Sequence, residues 1–396
     1  MRQPRWIFVA IVLVYVVTDR SVAMARESLR IEIRETGGWS RPVYPCSLEL
    51  ERPTNERPLR FRLLDESSHP VLLQVDSETR GKTTRWLLAF PVTLDPHQRR
   101  QWTLQFGPDV EPSPRRRRGH VLGKSGGLLT VTNAPYLVWT IPDHVGPVLQ
   151  SLEFGGTEHI RGPTGRLSWI DRSGASHVLG IKSAPKWRAV RSGPLAVTLR
   201  GESSFVRSVE SRVELDFPVS RSWVRVDWQL EDPTDRVAAI TFAMDVNLDP
   251  PKPRVPTLAD LGAGTFVYSR LGAGQTIRLE TTGKRRWRVL RGPSQSPRPY
   301  VLSHPDQPRR AEGWLHVMDR TRCLALAVGK FGEQGRDSIE CTASGRVVVR
   351  RAYPRDKNRK TKRLRTWLHF VGFPPQESAA TSPRHMQTPP EVRVVR

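Results

Sequence analysis

Along most of this chain the apolar residues recur at every second position. Leu29, Ile31 and Ile33 alternate with charged residues, as do Leu59, Phe61 and Leu63, and Trp102-Thr-Leu-Gln-Phe106 continues the series. In an extended strand successive side chains point to opposite faces, so this period buries one face and wets the other. No segment sustains a helical period over three turns. Short alternating runs separated by Pro, Gly, Asp and Asn specify antiparallel strands. The expectation is an all-β protein.

The spacing of the runs divides the chain. Residues 26–108 hold six or so strands, enough for a small barrel whose closure removes exposed edges. Residues 109–127 break the pattern with Pro112, Pro114, the run Arg115 to Arg118 and four glycines. They read as a linker carrying a solvated charge run. From Leu128 the strands lengthen, and roughly fourteen of them over residues 128–373 suit one large two-sheet sandwich. Residues 374–396 are rich in Pro, Ser and Thr and read as a disordered tail.

The first residues bear on where the protein works. Arg2 and Arg5 precede an apolar run from Trp6 to Val17, and Ala23-Met24-Ala25 follows with small residues at the positions a signal peptidase needs. Residues 1–25 therefore read as a secretory signal cleaved after Ala25. The run is shorter than the about 20 apolar residues of a transmembrane helix, so no stable membrane span is expected after cleavage. An uncleaved anchor is the alternative. Either way the expected location is secreted, periplasmic or in the cell envelope, which excludes nucleic acid as a default partner.

The formal net charge is +24, and Arg supplies 53 of the 63 basic residues. A GC-rich genome spreads Arg over any surface, whereas a functional excess raises the local concentration of acidic polymers. Three cysteines are too few for a disulfide scaffold. Cys323 and Cys341 each lie in a strand-like run and are expected to pair across adjacent strands, leaving Cys46 as a buried thiol.

Few local motifs carry chemistry. Gly119-His-Val-Leu-Gly123-Lys124-Ser125 lacks one residue of a phosphate loop, and no helix pattern follows it. The histidines are scattered without metal-ligand spacing, so no metal site and no cofactor are expected. The twelve tryptophans are the feature best matched to sugar chemistry, because an indole stacks on a pyranose while its N–H bonds a hydroxyl. Trp139, Trp169, Trp187, Trp287 and Trp314 are candidates. Arg285, just before Trp287, would join a cation contact to ring stacking. Asp143, Glu153, Asp171, Asp227 and Asp245 are candidate acids or bases, but hydrolysis needs two carboxylates ~5–9.5 Å apart, which sequence cannot place.

The layout, together with Leu129-Thr-Val-Thr-Asn133, Gly146-Pro-Val148, the Arg212 to Trp228 hairpin and the stretch from Glu312 to Phe331, resembles the exo-rhamnogalacturonan lyase and YetA-like proteins. The resemblance spans residues 29–373. It implies a small N-terminal RIFT-type barrel, a galactose-mutarotase-like supersandwich and then an α/α toroid. Nothing after Phe373 reads as a toroid, and no catalytic residue matches a transferable motif. The expectation is a secreted carbohydrate-associated β protein, a non-catalytic binder of a polysaccharide, acidic if the charge is functional. A polysaccharide lyase or glycoside hydrolase, or a structural protein of the cell envelope, are the alternatives.

Overall fold

The computed structural model describes residues 27–54, 59–116, 118–133, 136–180, 185–204, 209–219, 222–252, 255–283, 285–304, 309–372 and 382–395. The signal segment and its cleavage point at Ala25 lie outside the described residues. Among these, all regular structure is β-strand apart from the short helix Ser382–Gln387, as the period-two pattern dictates. No described helix is long and apolar enough to cross a membrane.

The six strands before Gly107 form two small sheets. One orders Glu391–Val395, Glu27–Arg34, Arg99–Gly107 and Arg60–Leu64, and the other orders Arg41–Pro53, Thr83–Leu94 and Gln74–Arg80. Ile31, Ile33, Leu63, Phe90, Leu94 and Leu104 are almost wholly buried in the core they share. Each such side chain contributes roughly 1.5–3 kcal/mol by leaving water.

The larger part consists of sheets of five, eight and nine strands around one apolar core. It contains more strands than the roughly fourteen expected from spacing alone. The nine-stranded sheet runs in the order Arg188–Ser192, Ala196–Ser204, Glu210–Pro218, Trp223–Glu231, Thr361–Gly372, Arg322–Val328, Trp314–Met318, Thr257–Gly262, Phe266–Leu271. Its inner face is apolar: Val213, Leu215, Phe217, Val224, Val226, Trp228, Leu364, Leu368 and Phe370 all join the core. Its outer face carries the alternate residues of the same strands. Trp223, Trp314, Ala327 and Trp367 on that face belong to the core of the small sheets, which therefore dock there.

Three expectations are corrected. Residues 382–395 are ordered structure, not a disordered tail. Val392 and Val394 alternate with polar residues, and their strand pairs antiparallel with Glu27–Arg34, matching Ile33 to Val392 and Ile31 to Val394. Met386 of the preceding helix enters the core, and Gln387 Nε2 donates to the carbonyls of Glu312, Gly313 and Val328. The expected linker also contains a strand, Val121–Ser125, which pairs with Leu128–Asn133.

The third correction concerns the cysteines. Cys323 pairs in register with Met318 and Val371 in the nine-stranded sheet, whereas Cys341 pairs with Ile277 and Val347 in the eight-stranded one. Cys341 lies in the core between the sheets, and Cys323 alternates with the core residues Leu324 and Leu326, so it faces outward. The two strands are not adjacent, and all three cysteines are buried free thiols.

Candidate functional site

Where the small sheets dock on the nine-stranded sheet they leave a cleft with two adjoining cavities. One, of about 310 Å³, is lined by Tyr44, Phe90, Trp223, Trp367 and Met386 among others. The second, of about 350 Å³, is lined by Glu49, Arg85, Arg212, Glu214, Arg225, Asp227, Gln229, Arg363 and Arg365. Arg225 and Arg365 line both. One end of the cleft is thus aromatic and the other ionic, the mixture a concave ligand site needs.

The register explains the ionic end. On the outer face Glu214 stands directly opposite Asp227, and Asp227 opposite Arg365. Facing carboxylates repel, so each is held by two arginines. Glu214 accepts from Arg200 Nε at 2.8 Å and Arg212 Nη2 at 2.6 Å. Asp227 accepts from Arg363 Nε at 2.6 Å and from Arg365 Nη2 at 2.7 Å. Asp216, next along, accepts from Thr198 Oγ1 at 2.6 Å and meets Arg225 Nη2 at 3.5 Å.

These contacts set the protonation states. Burial pushes the Asp227 carboxyl up, but the Arg363 hydrogen bond and the charges of Arg365, Arg363 and Arg225 outweigh it and hold it below the usual range. Glu214 is likewise held low: burial raises it, and Arg212 and Arg200 more than reverse that. Arg365 is also held below its ordinary value, which for a guanidinium favours the uncharged form. Burial lowers it, and the repulsion of Arg225 and Arg363 adds to that against the attraction of Asp227. The buried Nε–H of Arg225 has no hydrogen-bond partner. A buried donor left unsatisfied costs about 1–3 kcal/mol.

Five arginines against three carboxylates line the ionic cavity. The arrangement can take an anionic group in the fork geometry guanidinium offers. The guanidinium of Arg365 also lies 5.8 Å from the Trp367 ring centroid, so a cation and an aromatic ring meet at the junction of the two cavities.

The tryptophans expected to bind sugar lie elsewhere, and burial removes them from that role. Trp139 is fully buried between Phe217 and Phe370, with ring centroids at 5.4 and 5.7 Å. Trp287 is buried and donates its Nε1–H to the Arg309 carbonyl at 2.9 Å. Trp314 is buried, donates to Glu312 Oε2 at 2.6 Å and lies against Gly262, where a Cβ would come within 2.1 Å of its Nε1. Trp169 is buried against His177, at 4.0 Å, and Trp187 lies in the sandwich core. Arg285 is exposed in a turn with φ of 62°. The ring of Trp287 points into the core beside it, so the expected cation-and-ring pair is not formed.

Of the candidate carboxylates, only Asp227 lines the cleft. Asp171 caps its own turn through Ser173 and Ala175, and Asp143 contacts His144 and Lys124. His316 sits further along the same face, its Nδ1 3.8 Å from Asp260 Oδ2, and lines neither cavity. No group of three or more His, Cys, Asp or Glu placed to hold a metal occurs among the described residues. The cleft residues did leave a signal in the sequence. Trp223-Val-Arg-Val-Asp227 and Arg363-Leu-Arg-Thr-Trp367 alternate apolar residues with a charged and aromatic face. Such a face is too ionic for a core and too aromatic for open solvent.

No protein-family profile and no curated protein matches this sequence. Among solved structures, an α-mannosidase from Enterococcus faecalis V583 superposes with a TM-score of 0.55 at 9% identity, over 93% of this chain and 46% of that one. A protein in the glycosyl hydrolase family 38 from Enterococcus faecalis gives 0.53 at 8% identity, over 93% of this chain and 47% of that one. The chain spans less than half the length of each. A GalM/aldose epimerase homologue from C. elegans gives 0.35 at 12% identity, over 63% of this chain and 99% of that one, too loose a fit to bear on the fold. The first two likenesses are of fold: this is an all-β, multi-sheet sandwich protein of an architecture also found in those two structures.

Proposed function

We propose that the protein is an exported carbohydrate-binding protein whose cleft holds an acidic sugar residue of a polysaccharide. The carboxylate or sulfate sits at Arg225 and Arg365, and the sugar ring lies towards Trp367 and Trp223. One observation carries the reading: Arg225 and Arg365 line both the aromatic and the ionic cavity, and in the latter five arginines face three carboxylates. The fold neighbours are an α-mannosidase and a glycosyl hydrolase family 38 protein, which agrees with a carbohydrate ligand.

Binding fits the cleft better than bond cleavage does. A glycosidase needs one carboxyl group that stays protonated, whereas Glu214 and Asp227 are held low by arginines and the third cleft carboxylate, Glu49, pairs with Arg85. Tyr44, at the aromatic end, spends its hydroxyl on the His385 carbonyl at 3.1 Å. Titration calorimetry with galacturonate oligomers and neutral galactose oligomers tests the reading. The wild type binds the acidic oligomers more tightly, and Arg365→Ala weakens that binding at least tenfold. Equal affinity for both, or none for either, overturns it.

A further inference from the structure

The outer face of the nine-stranded sheet continues past Trp314 to the edge of the sheet, where no strand of the described residues covers it. On the edge strand Phe266–Leu271, Phe266 and Tyr268 are 64% and 42% exposed and alternate with the buried Val267 and Ser269. The edge strand of the eight-stranded sheet, Arg298–Leu302, comes alongside. From it Tyr300, 45% exposed, donates its hydroxyl to the Tyr268 carbonyl at 3.2 Å. This bond ties the edge strands of two different sheets together, each of them carrying an exposed tyrosine.

Two arginines border these rings. Arg291 places its guanidinium 5.3 Å from the Tyr300 ring centroid and donates to the Arg270 carbonyl at 2.6 Å. Arg270 Nε donates to the Tyr268 hydroxyl at 3.1 Å. Their partners are thus a ring, a hydroxyl, a carbonyl and the Gln275 amide oxygen, and neither meets a carboxylate among the described residues. The contrast with the cleft is informative, because each cleft arginine there meets Glu or Asp. Here two cations stand uncompensated beside exposed rings.

We propose that this edge platform is a second binding surface, taking an acidic polysaccharide chain laid across Tyr268 and Tyr300 with its anionic groups at Arg270 and Arg291. Charge selects this occupant over a second copy of the chain. Self-association would set Arg270 and Arg291 against their own equivalents in a protein of net charge +24, whereas a polyanion neutralises them. Ring faces tolerate any sugar with an apolar side, so specificity rests on the arginines. A carboxylated and a sulfated chain present the same chemistry to this surface.

The proposal rests on the reading of the protein as a binder of acidic glycans, and the test separates the two sites. Affinity for polygalacturonate, dextran sulfate, neutral dextran and a galacturonate trimer is measured for the wild type, Tyr268→Ala/Tyr300→Ala, Arg270→Gln/Arg291→Gln and Arg365→Ala. Tyr268, Arg270 and Tyr300 are exposed and Arg291 is half-buried, so these variants are expected to fold. Each edge variant should lose at least tenfold in affinity for an acidic polymer while keeping trimer affinity within twofold, and the better polymer identifies the anionic group. If the edge variants lose polymer binding and Arg365→Ala keeps wild-type affinity for the trimer, the platform stands and the cleft reading falls. Edge variants that bind both polymers like the wild type overturn the proposal. So does a wild type that ignores all four glycans, or a concentration-dependent dimer abolished by Tyr268→Ala/Tyr300→Ala without any glycan effect.

Discussion

Arg365 faces Asp227 across adjacent strands and reaches one carboxylate oxygen with both Nε, at 2.9 Å, and Nη2, at 2.7 Å. Arg363 takes the same side chain through Nε and Nη2, so a single 5%-exposed carboxylate holds two arginines in place. The position of both guanidinium groups in the cleft follows from this one residue.

Asp227→Asn removes the charge and leaves the arginines facing each other. Breaking a buried ion pair costs roughly 3–5 kcal/mol. Water reaches both arginines, so the expected loss is about 1–3 kcal/mol, read from urea unfolding at pH 7. The native pKa of Asp227 lies below its unfolded value, so its stabilisation is present above about pH 4 and lost as pH falls through the native value. The gap between wild type and Asp227→Asn should be constant from pH 6 to 8 and shrink in acid. A gap that widens in acid contradicts this.

Arg41 is predicted to bind the C-terminal segment to the small sheets. Its side chain and that of Glu35 are fully buried, 3.0 Å apart, and it donates to the carbonyls of His385 and Thr388. Burial pushes Glu35 up, but the N–H groups of Gly37, Trp39 and Gly38, together with Arg41, bring it down to about 2. Arg41→Met leaves this anion without its guanidinium, at a cost of about 3–5 kcal/mol. Limited proteolysis should then cut within residues 382–395 first. The Glu35 contribution is fully present above about pH 4.5 and fades as pH drops towards 2. Unchanged stability and protease resistance in Arg41→Met would rule this out.

Thiol counting tests the cysteine assignment. Burial pushes Cys46 and Cys323 up to about 12 and raises Cys341 as well, so no reactive thiolate is present at neutral pH. Ellman's reagent should react negligibly with the native protein. After denaturation without reductant it should find all three thiols. A count of one would restore the Cys323–Cys341 bond.

The strands were legible because a period of two is a local property; Ile31 and Ile33, or Val213 and Leu215, declare their buried face within a few residues. What brings distant segments together is not local. Glu391-Val-Arg-Val-Val395 has strand alternation, but its partner Glu27–Arg34 lies at the far end of the chain, and the Pro-rich stretch before it reads as disorder. Cys323 and Cys341 are near in sequence, yet the chain changes sheets between them. The tryptophans misled for a different reason. A large ring matched to a sugar is equally matched to a core, and Trp139 and Trp287 went there because burial of so much apolar surface dominates. Trp223 and Trp367 line the cleft only because the outer face of their sheet is partly covered by another part of the chain.

A crystal structure of the protein with a galacturonate oligomer shows whether the cleft arginines hold an acidic sugar. A sugar carboxylate should lie within hydrogen-bonding distance of the Arg225 and Arg365 guanidinium groups, with its ring on the Trp367 side of the cleft. An empty cleft at saturating oligomer, or a sugar bound there with its carboxylate turned away from both arginines, would contradict this placement.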